Sequence, residues 1–189
     1  MSILLVLGIA IIIISVYVAV SYNMLINSKN MVNAAWSDVE TQIKRRYDLV
    51  PNLVHTVKGY ASHESSVLEN VMKARSAAME AKGGAEVHSS AEKNLTKSLR
   101  TLIAVSENYP DLKASENFLK LQFELTDIED RIKASRRFYN TNVMAFNTRI
   151  EQFPCNFIAK YFKFKQAGFF ELPHEESAAA QNPAEVDFK

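Results

Sequence analysis

Residues 116–153 read ENFLKLQFELTDIEDRIKASRRFYNTNVMAFNTRIEQF, and they decide the fold class. A large apolar residue stands at every seventh position of this stretch. These residues are Phe118, Leu125, Ile132, Tyr139, Phe146 and Phe153. A seven-residue repeat places its apolar side chains along one face of a helix, and such a face is buried against other helices. The stretch therefore predicts a long amphipathic helix that ends at Pro154.

A second long helix is predicted over residues 22–60. Its apolar positions recur at spacings of three, four and seven residues from Leu25 to Tyr60. No Gly or Pro lies between Gly8 and Pro51, so this helix can continue from the N-terminal segment without a break. Pro51 itself predicts either a kink or a restart of the helix.

The N-terminal segment is apolar enough to cross a membrane. Residues 3–20 carry no charge, and the first charged side chain of the protein is Lys29. A helix of this length covers roughly 27 Å, close to the thickness of the hydrocarbon core. A cleaved signal peptide is the alternative, but no basic residue precedes Ile3. We predict a single-pass anchor at residues 1–21, with the rest of the chain on the cytoplasmic side because the basic residues follow the span.

Two shorter helical patterns lie between the long helices. The first ends at Gly83 and Gly84, and the second ends before Tyr109 and Pro110. With only 5 Gly and 5 Pro in 189 residues, the chain has few of the turns that a sheet-rich fold needs. The prediction is an all-α fold, in which a transmembrane helix precedes an antiparallel up-and-down four-helix bundle with long first and fourth helices.

The composition excludes several classes of protein. A formal charge of +1 lacks the basic excess of a nucleic-acid binder, so no nucleic acid is expected as a partner. The single cysteine, Cys155, cannot form an internal disulfide. Residues 165–189 are polar, acidic and rich in Ala, and they predict a flexible tail.

Several blocks of sequence resemble the LemA family. They are AWSDVE at 35–40, KRRYDLVPNLV at 44–54, YPDLK at 109–113, RFYN at 137–140 and Phe153-Pro154. The resemblance runs from the anchor to Phe164, with the acidic tail outside it. It implies a bacterial protein anchored in the cytoplasmic membrane, with residues 22–164 as a helical bundle that faces either the cytoplasm or the envelope. The resemblance brings no catalytic residue with it.

Patterns that would support catalysis are incomplete. His63-Glu64 begins a zinc-protease motif, but Val67 stands where the second histidine is required. Glu171 and His174 have the spacing of a di-iron motif, but Pro173 separates them. We therefore expect no enzymatic activity, no metal, no cofactor and no small-molecule substrate.

Charged residues inside the apolar stripes predict ion pairs between the long helices. Arg46 lies between Val39 and Leu53 in the first stripe, where an unpaired charge is costly. An antiparallel register places Arg46 opposite Asp127 and Asp130, and Glu40 opposite Arg136 and Arg137. These contacts are interpreted as bundle register, with a partner-binding site as the alternative.

The short helices cannot cover the whole length of the long pair, so an aromatic surface near the membrane is predicted to stay open. This candidate interaction surface consists of Trp36, Tyr139, Phe146 and Ile150. Its cover would be another copy of the chain, a membrane protein, or residues 157–162 folding back.

The most direct functional hypothesis is a non-enzymatic scaffold. The lipid bilayer would bind the N-terminal helix, and the bundle would present a helical surface to membrane or envelope proteins, including itself. The alternative is a sensor that couples an envelope signal through the continuous first helix, and a hydrolase with no recognisable motif is a third possibility.

Overall fold

The computed structural model describes residues 2–81 and 83–170. Every regular element in this part of the chain is a helix. The helices are α1 (Ser2–Tyr60), α2 (Ser65–Glu80), α3 (Ala85–Ser106), α4 (Pro110–Lys113), α5 (Glu116–Glu151) and α6 (Cys155–Tyr161). The predicted all-α class, with one long apolar helix at the N-terminus, is confirmed.

The described residues form two compact units. Unit 1 contains residues 2–40 and 134–168, and unit 2 contains residues 41–81, 83–133 and 169–170. This division follows contacts within the folded chain, and the predicted boundaries at residues 21 and 164 stay predictions.

The first part of α1 is long and apolar enough to cross a membrane. The 18-residue apolar window in this helix has none of its residues buried against the protein. Side chains such as Ile9, Ile11 and Ile14 are exposed. An unbroken apolar surface of this kind is unfavourable in water and is matched by a bilayer core.

In unit 2, α1 continues through Pro51 and does not restart there. Proline has no N–H group, so the carbonyl of Tyr47, one turn earlier, loses its helical hydrogen bond. Arg75 of α2 donates its Nε–H to that carbonyl at 2.7 Å. The neighbouring helix therefore supplies the hydrogen bond that the proline removes.

The core of unit 2 is formed by one face of each helix. In α5, Phe118, Leu125 and Ile132 are buried, as the seven-residue repeat predicts. The corresponding core residues of the other helices are Ile43, Val50, Leu53, Val57, Leu68, Val71, Leu95, Leu99, Leu102 and Leu112. Helices α2 and α3 pack against each other. Gly83 lies between them at φ +150°, a backbone conformation that side-chain-bearing residues rarely adopt.

Unit 1 is built around α6 and the chain that follows it. Ile158 and Ala159 of α6 are buried with Leu25 of α1, and Val18, Tyr22, Ile150, Cys155 and Phe164 pack around them. The Arg149 guanidinium donates to Ser28 Oγ, which joins α5 to α1. Helix α6 is thereby fixed beside the end of the apolar segment.

The chain beyond α6 is held to α5. The Asn147 side chain donates to the carbonyl of Ala167 and accepts from its N–H, both at 2.9 Å. The Tyr139 hydroxyl donates to the carbonyl of Gly168 at 2.8 Å. The first residues of the predicted tail are therefore bound in unit 1. The remainder of that prediction, residues 171–189, lies outside the described residues.

Candidate functional site

A buried ion-pair cluster in unit 2 is centred on Arg46, whose side chain is 2% exposed. Arg46 forms ion pairs with Glu92 of α3 and with Glu129 of α5, the latter at 2.5 Å between Nη1 and Oε1. The same Nη1 donates to Thr96 Oγ1 at 3.0 Å. One guanidinium therefore joins α1, α3 and α5 at a single point.

The cluster needs its cation because Glu92 is almost as deeply buried as Arg46. The Glu92 side chain is 6% exposed, whereas Glu129 is 26% exposed and reaches solvent. The Tyr47 hydroxyl donates a further hydrogen bond to Glu92 Oε1. Burial raises the pKa of Tyr47, and the positive charge of Arg46 opposes that rise. Arg46 and Tyr47 thus both bind the buried carboxylate of Glu92, and leaving it buried without the cation would be strongly destabilising.

The predicted partners of Arg46 are wrong. Asp127 forms an ion pair with Arg131 at 2.7 Å, and Asp130 forms one with Lys133 at 3.4 Å, both along the exposed surface of α5. The antiparallel register selects the correct height on α5 but the wrong face, because neighbouring helical positions point about 100° apart. Of the two residues between them in sequence, Glu129 contacts Arg46.

Sequence reasoning missed Glu92 because it considered only the two long helices. A signal was present in α3, where Glu92 precedes the buried Leu95 by three residues and Leu99 by seven. These spacings place the carboxylate on the apolar face of its helix. A lone acidic residue in one stripe and a lone basic residue in another are the features that predict such a pair.

The second predicted ion pair joins Glu40 to Arg136 or Arg137. Glu40 and Arg137 are exposed, and Arg136 is partly buried. The pairing of Glu40 with Arg136 or Arg137 stays a prediction.

The predicted open surface in unit 1 is wrong, because the unit covers its own aromatic residues. Tyr139 and Phe146 are buried, and Trp36 and Ile150 are partly buried. The rings of Trp36 and Tyr139 are 5.3 Å apart between centroids. The ring of Phe164 lies 6.4 Å from that of Phe146. The predicted intramolecular cover, residues 157–162, is not the segment that contacts these rings. Phe164 and the residues up to Gly168, which follow it, provide the cover.

The exposed aromatic residues of unit 1 lie instead on and beside α6. We call this set the aromatic patch. Its members are Phe153, Phe157, Tyr161 and Phe162, which are 78%, 64%, 81% and 44% exposed. The expectation that Phe153 belongs to the buried stripe of the long helix is wrong, because α5 ends at Glu151, before the repeat reaches it.

A catalytic arrangement is not evident in the described part of the chain. Within residues 2–81 and 83–170, no group of three His, Cys, Asp or Glu residues could hold a metal ion. An open cleft of about 400 Å³ in unit 2 lies between α1 and α5. Its apolar lining residues are Leu49 and Ile128, and Arg45, Asp48 and Asp127 are among its polar ones. The absence of catalysis stays a prediction.

Comparison with known proteins identifies relatives over most of the chain. This chain is 26% identical over 175 residues to magnetosome protein MamQ 2 of Paramagnetospirillum magneticum. The alignment covers 79% of this chain and 64% of that protein. The chain is 25% identical over 182 residues to magnetosome protein MamQ of Magnetospirillum gryphiswaldense, covering 83% and 66% respectively. It is 29% identical over 158 residues to protein LemA of Metamycoplasma hominis, covering 82% and 70%. The chain thus spans about two thirds of the length of the MamQ proteins.

A sequence model of the LemA family matches residues 35–188. The match continues past Phe164, so the expectation that the acidic tail lies outside the resemblance is wrong. It begins at the block that opens with Ala35 and Trp36, which is the first block that carries the predicted resemblance. Because the match covers well over half of the sequence, the chain belongs to the LemA family, as its motifs predict.

Proposed function

We propose that this protein is a non-enzymatic adaptor, anchored by a single N-terminal helix in the bacterial cytoplasmic membrane. The observation that carries the proposal is the apolar surface of α1 over residues 3–17, which is exposed at every position. The relatives named LemA and MamQ support membrane association. The predicted antiparallel four-helix bundle is the arrangement that we assign to the helices of unit 2.

Unit 2 suits an adaptor because its helices are fixed to one another by polar contacts. Arg46 binds residues of α3 and α5, and Arg75 of α2 binds the backbone of α1. Such contacts give the helices a defined register, which a docking surface requires. The open cleft beside Leu49 and Ile128 is the surface that we assign to a partner helix, because an apolar floor with charged edges provides both affinity and orientation.

Site-specific photo-crosslinking in living cells tests this assignment. A photoreactive residue replacing Asp127, at the edge of the cleft, is expected to give one discrete crosslinked product. The same residue replacing Lys73, an exposed position of α2, is the matched control and is expected to give none. Reversing the charge of Arg45 in the cleft should abolish the product. Crosslinks that form equally at both positions, or that do not respond to Arg45→Glu, would contradict the proposal.

The continuity of α1 favours a second function, a sensor that transmits a change along this helix. Helix α1 extends from Ser2 to Tyr60 with Pro51 inside it. Asn33→Gly combined with Ala34→Gly weakens the helix at two exposed positions, by about 1 kcal/mol each. Crosslinking at Asp127 should persist in this variant if the protein is an adaptor. It should be lost if partner contact depends on transmission through α1.

A further inference from the structure

We propose that α6 is an interfacial helix, whose aromatic patch lies among the headgroups of the membrane that α1 enters and whose lysines bind anionic phospholipids. This inference rests on the proposed insertion of α1. The protein would then contact the membrane at a second point, through a segment more than 120 residues after the anchor.

The position of α6 follows from its contacts with α1. Its buried face packs against Val18 and Leu25, and the ring of Phe162 lies 4.6 Å from the ring of Tyr22. A membrane-spanning helix uses about 20 apolar residues, so residues 18–25 lie where an anchor starting at residue 3 leaves the hydrocarbon core. Helix α6 is therefore held at the depth of the membrane–water boundary.

The outer face of α6 has the composition of a boundary segment. Phe153, Phe157 and Tyr161 are spaced by four residues, and the Phe153 and Phe157 rings are 5.9 Å apart. The buried residues Ile158 and Ala159 lie on the other side of the helix. Soluble monomers seldom leave a contiguous aromatic surface open. Aromatic side chains are enriched at the headgroup level, where an apolar ring and a polar environment are both accommodated.

The charges around the patch favour an anionic surface. Arg149, Lys160, Lys163 and Lys165 accompany one carboxylate, Glu151, between residues 149 and 165. The three lysines are exposed. Juxtamembrane basic residues are attracted to anionic lipids.

One of these lysines, Lys163, lies at the C-terminal end of α6 in an unusual backbone conformation. The N–H of Phe164 bonds to the carbonyl of Ala159 at 2.9 Å, and the N–H of Lys163 bonds to that of Lys160 at 3.2 Å. This is the Schellman arrangement, whose left-handed position is usually a glycine. Lys163 occupies that position at φ 58°. This backbone conformation is less favourable for lysine than for glycine, so the exposed charge at this position comes at a cost in backbone energy.

A second copy of the chain is a less suitable occupant than a bilayer. A symmetric dimer formed through the aromatic patch would bring the lysines of one copy next to those of the other. Like charges in such proximity oppose association, whereas the same charges strengthen binding to an anionic membrane.

Depth-dependent fluorescence quenching in vesicles tests the proposal on the full chain. The single tryptophan is first replaced, Trp36→Phe, and one new tryptophan is introduced in each variant. Phe157→Trp reports on α6, Ile11→Trp reports on the anchor, and Phe138→Trp reports on an exposed site of α5. Phe138 is a matched control because it lies about 20 Å along the helix from Glu151. The vesicles contain phosphatidylcholine with brominated acyl chains and phosphatidylglycerol.

We expect the Phe157→Trp emission to be blue-shifted and quenched several-fold more strongly than that of Phe138→Trp, most by bromines nearest the headgroup. Ile11→Trp should be quenched most by bromines deep in the chains. Quenching of Ile11→Trp without quenching of Phe157→Trp would overturn the interfacial helix and leave the anchor in place. A blue-shifted but unquenched Phe157→Trp, in a protein that crosslinks to itself, would assign the patch to a dimer. If Ile11→Trp is unquenched, the proposed anchor and this inference both fail.

The lysines are tested in the same vesicles. Adding phosphatidylglycerol to pure phosphatidylcholine should increase the quenching of Phe157→Trp. Combined Lys160→Gln, Lys163→Gln and Lys165→Gln substitutions should remove that increase while leaving the quenching of Ile11→Trp unchanged. An increase that persists without the lysines would show that the headgroup charge is not recognised by them.

Discussion

Arg46 shows how one side chain can control the stability of unit 2. Its removal leaves Glu92 buried among helices without a cation, and losing one partner of a buried pair typically costs about 3–5 kcal/mol. We predict that Arg46→Met lowers the free energy of unfolding by this amount, measured by urea denaturation of the detergent-solubilised protein at pH 7. Arg45→Met, at the exposed neighbouring position, should cost less than about 1 kcal/mol.

The carboxylates provide a further control on this prediction. Arg46→Met combined with Glu92→Leu removes the stranded charge and should recover part of the lost stability. Equal stability of Arg46→Met and Arg45→Met would mean that the buried pair makes no net contribution.

Tyr47 gives unit 2 a specific response to alkaline pH. Burial raises the pKa of Tyr47, so the folded protein holds the phenol proton more tightly than the unfolded chain does. Tighter binding of this proton favours the folded state. The stability that it provides is fully present below about pH 10, the ordinary pKa of tyrosine, and is lost as the pH rises through the raised pKa of Tyr47. We predict that Tyr47→Phe loses less stability than the wild type above that pH, although it is less stable at neutral pH because a hydrogen bond to Glu92 is missing. Parallel stability curves for the two proteins at alkaline pH would contradict this.

At the scale of the element, Pro51 and Arg75 compensate for each other. Arg75→Met leaves the partly buried Tyr47 carbonyl without its donor, at a cost of about 1 kcal/mol. Pro51→Ala restores an N–H to the helix, which can bond to the same carbonyl. We predict that Arg75→Met costs less in the Pro51→Ala background than in the wild type, as measured by the free energies of unfolding in a double-mutant cycle. Additive effects would indicate that the carbonyl is satisfied in another way.

The segment after α6 depends on Asn147 for its attachment to α5. Asn147→Ala removes both hydrogen bonds to the backbone of Ala167. We predict faster tryptic cleavage at Lys163 and Lys165 in this variant, because a protease needs a locally released chain. Asn142→Ala is the matched control, since the Asn142 side chain donates to the carbonyl of Phe138 within its own helix. Equal cleavage rates in the two variants would show that Asn147 does not hold the segment.

These elements also show what the sequence can and cannot determine. The seven-residue repeat predicts the buried residues of α5 as far as Phe146, because periodicity reports directly which face is apolar. It fails at Phe153, because a repeat carries no information on where the helix stops. Arg46 is correctly predicted to need a carboxylate. Its true partners depend on helix rotation and on α3, neither of which follows from the pattern of the long helices.

At the scale of the whole molecule, the long helices α1 and α5 make different kinds of contact in the two units. In unit 1, α1 and α5 bury aromatic rings that the end of the chain covers. In unit 2, they hold a buried ion-pair cluster. The sequence predicts a helical fold with an apolar anchor. It does not predict the cover in unit 1, because the contacts between Asn147 and Ala167 join residues with no periodic relation.

The proposed anchor is expected to have one orientation in the membrane. Sequence alone offers Lys29 as the only basic residue near the span. The structure adds Lys160 and Lys163, since α6 packs beside Tyr22 and Leu25. The inner leaflet is anionic, so all three lysines favour a cytoplasmic location for the chain that follows the proposed anchor.

Cysteine labelling of intact cells measures this orientation. In a Cys155→Ser background, Ser2→Cys should react with a membrane-impermeant maleimide, whereas Lys73→Cys should react only after the cells are lysed. Lys73 is a suitable position because its side chain is exposed, and because α1 holds the one apolar segment in residues 2–81 and 83–170 that is able to cross a membrane. Labelling of Lys73→Cys on intact cells, with protection of Ser2→Cys, would place the helical units outside the cytoplasm. The lysines of α6 would then lie beside the outer leaflet, and attraction to the anionic inner leaflet would not account for their position.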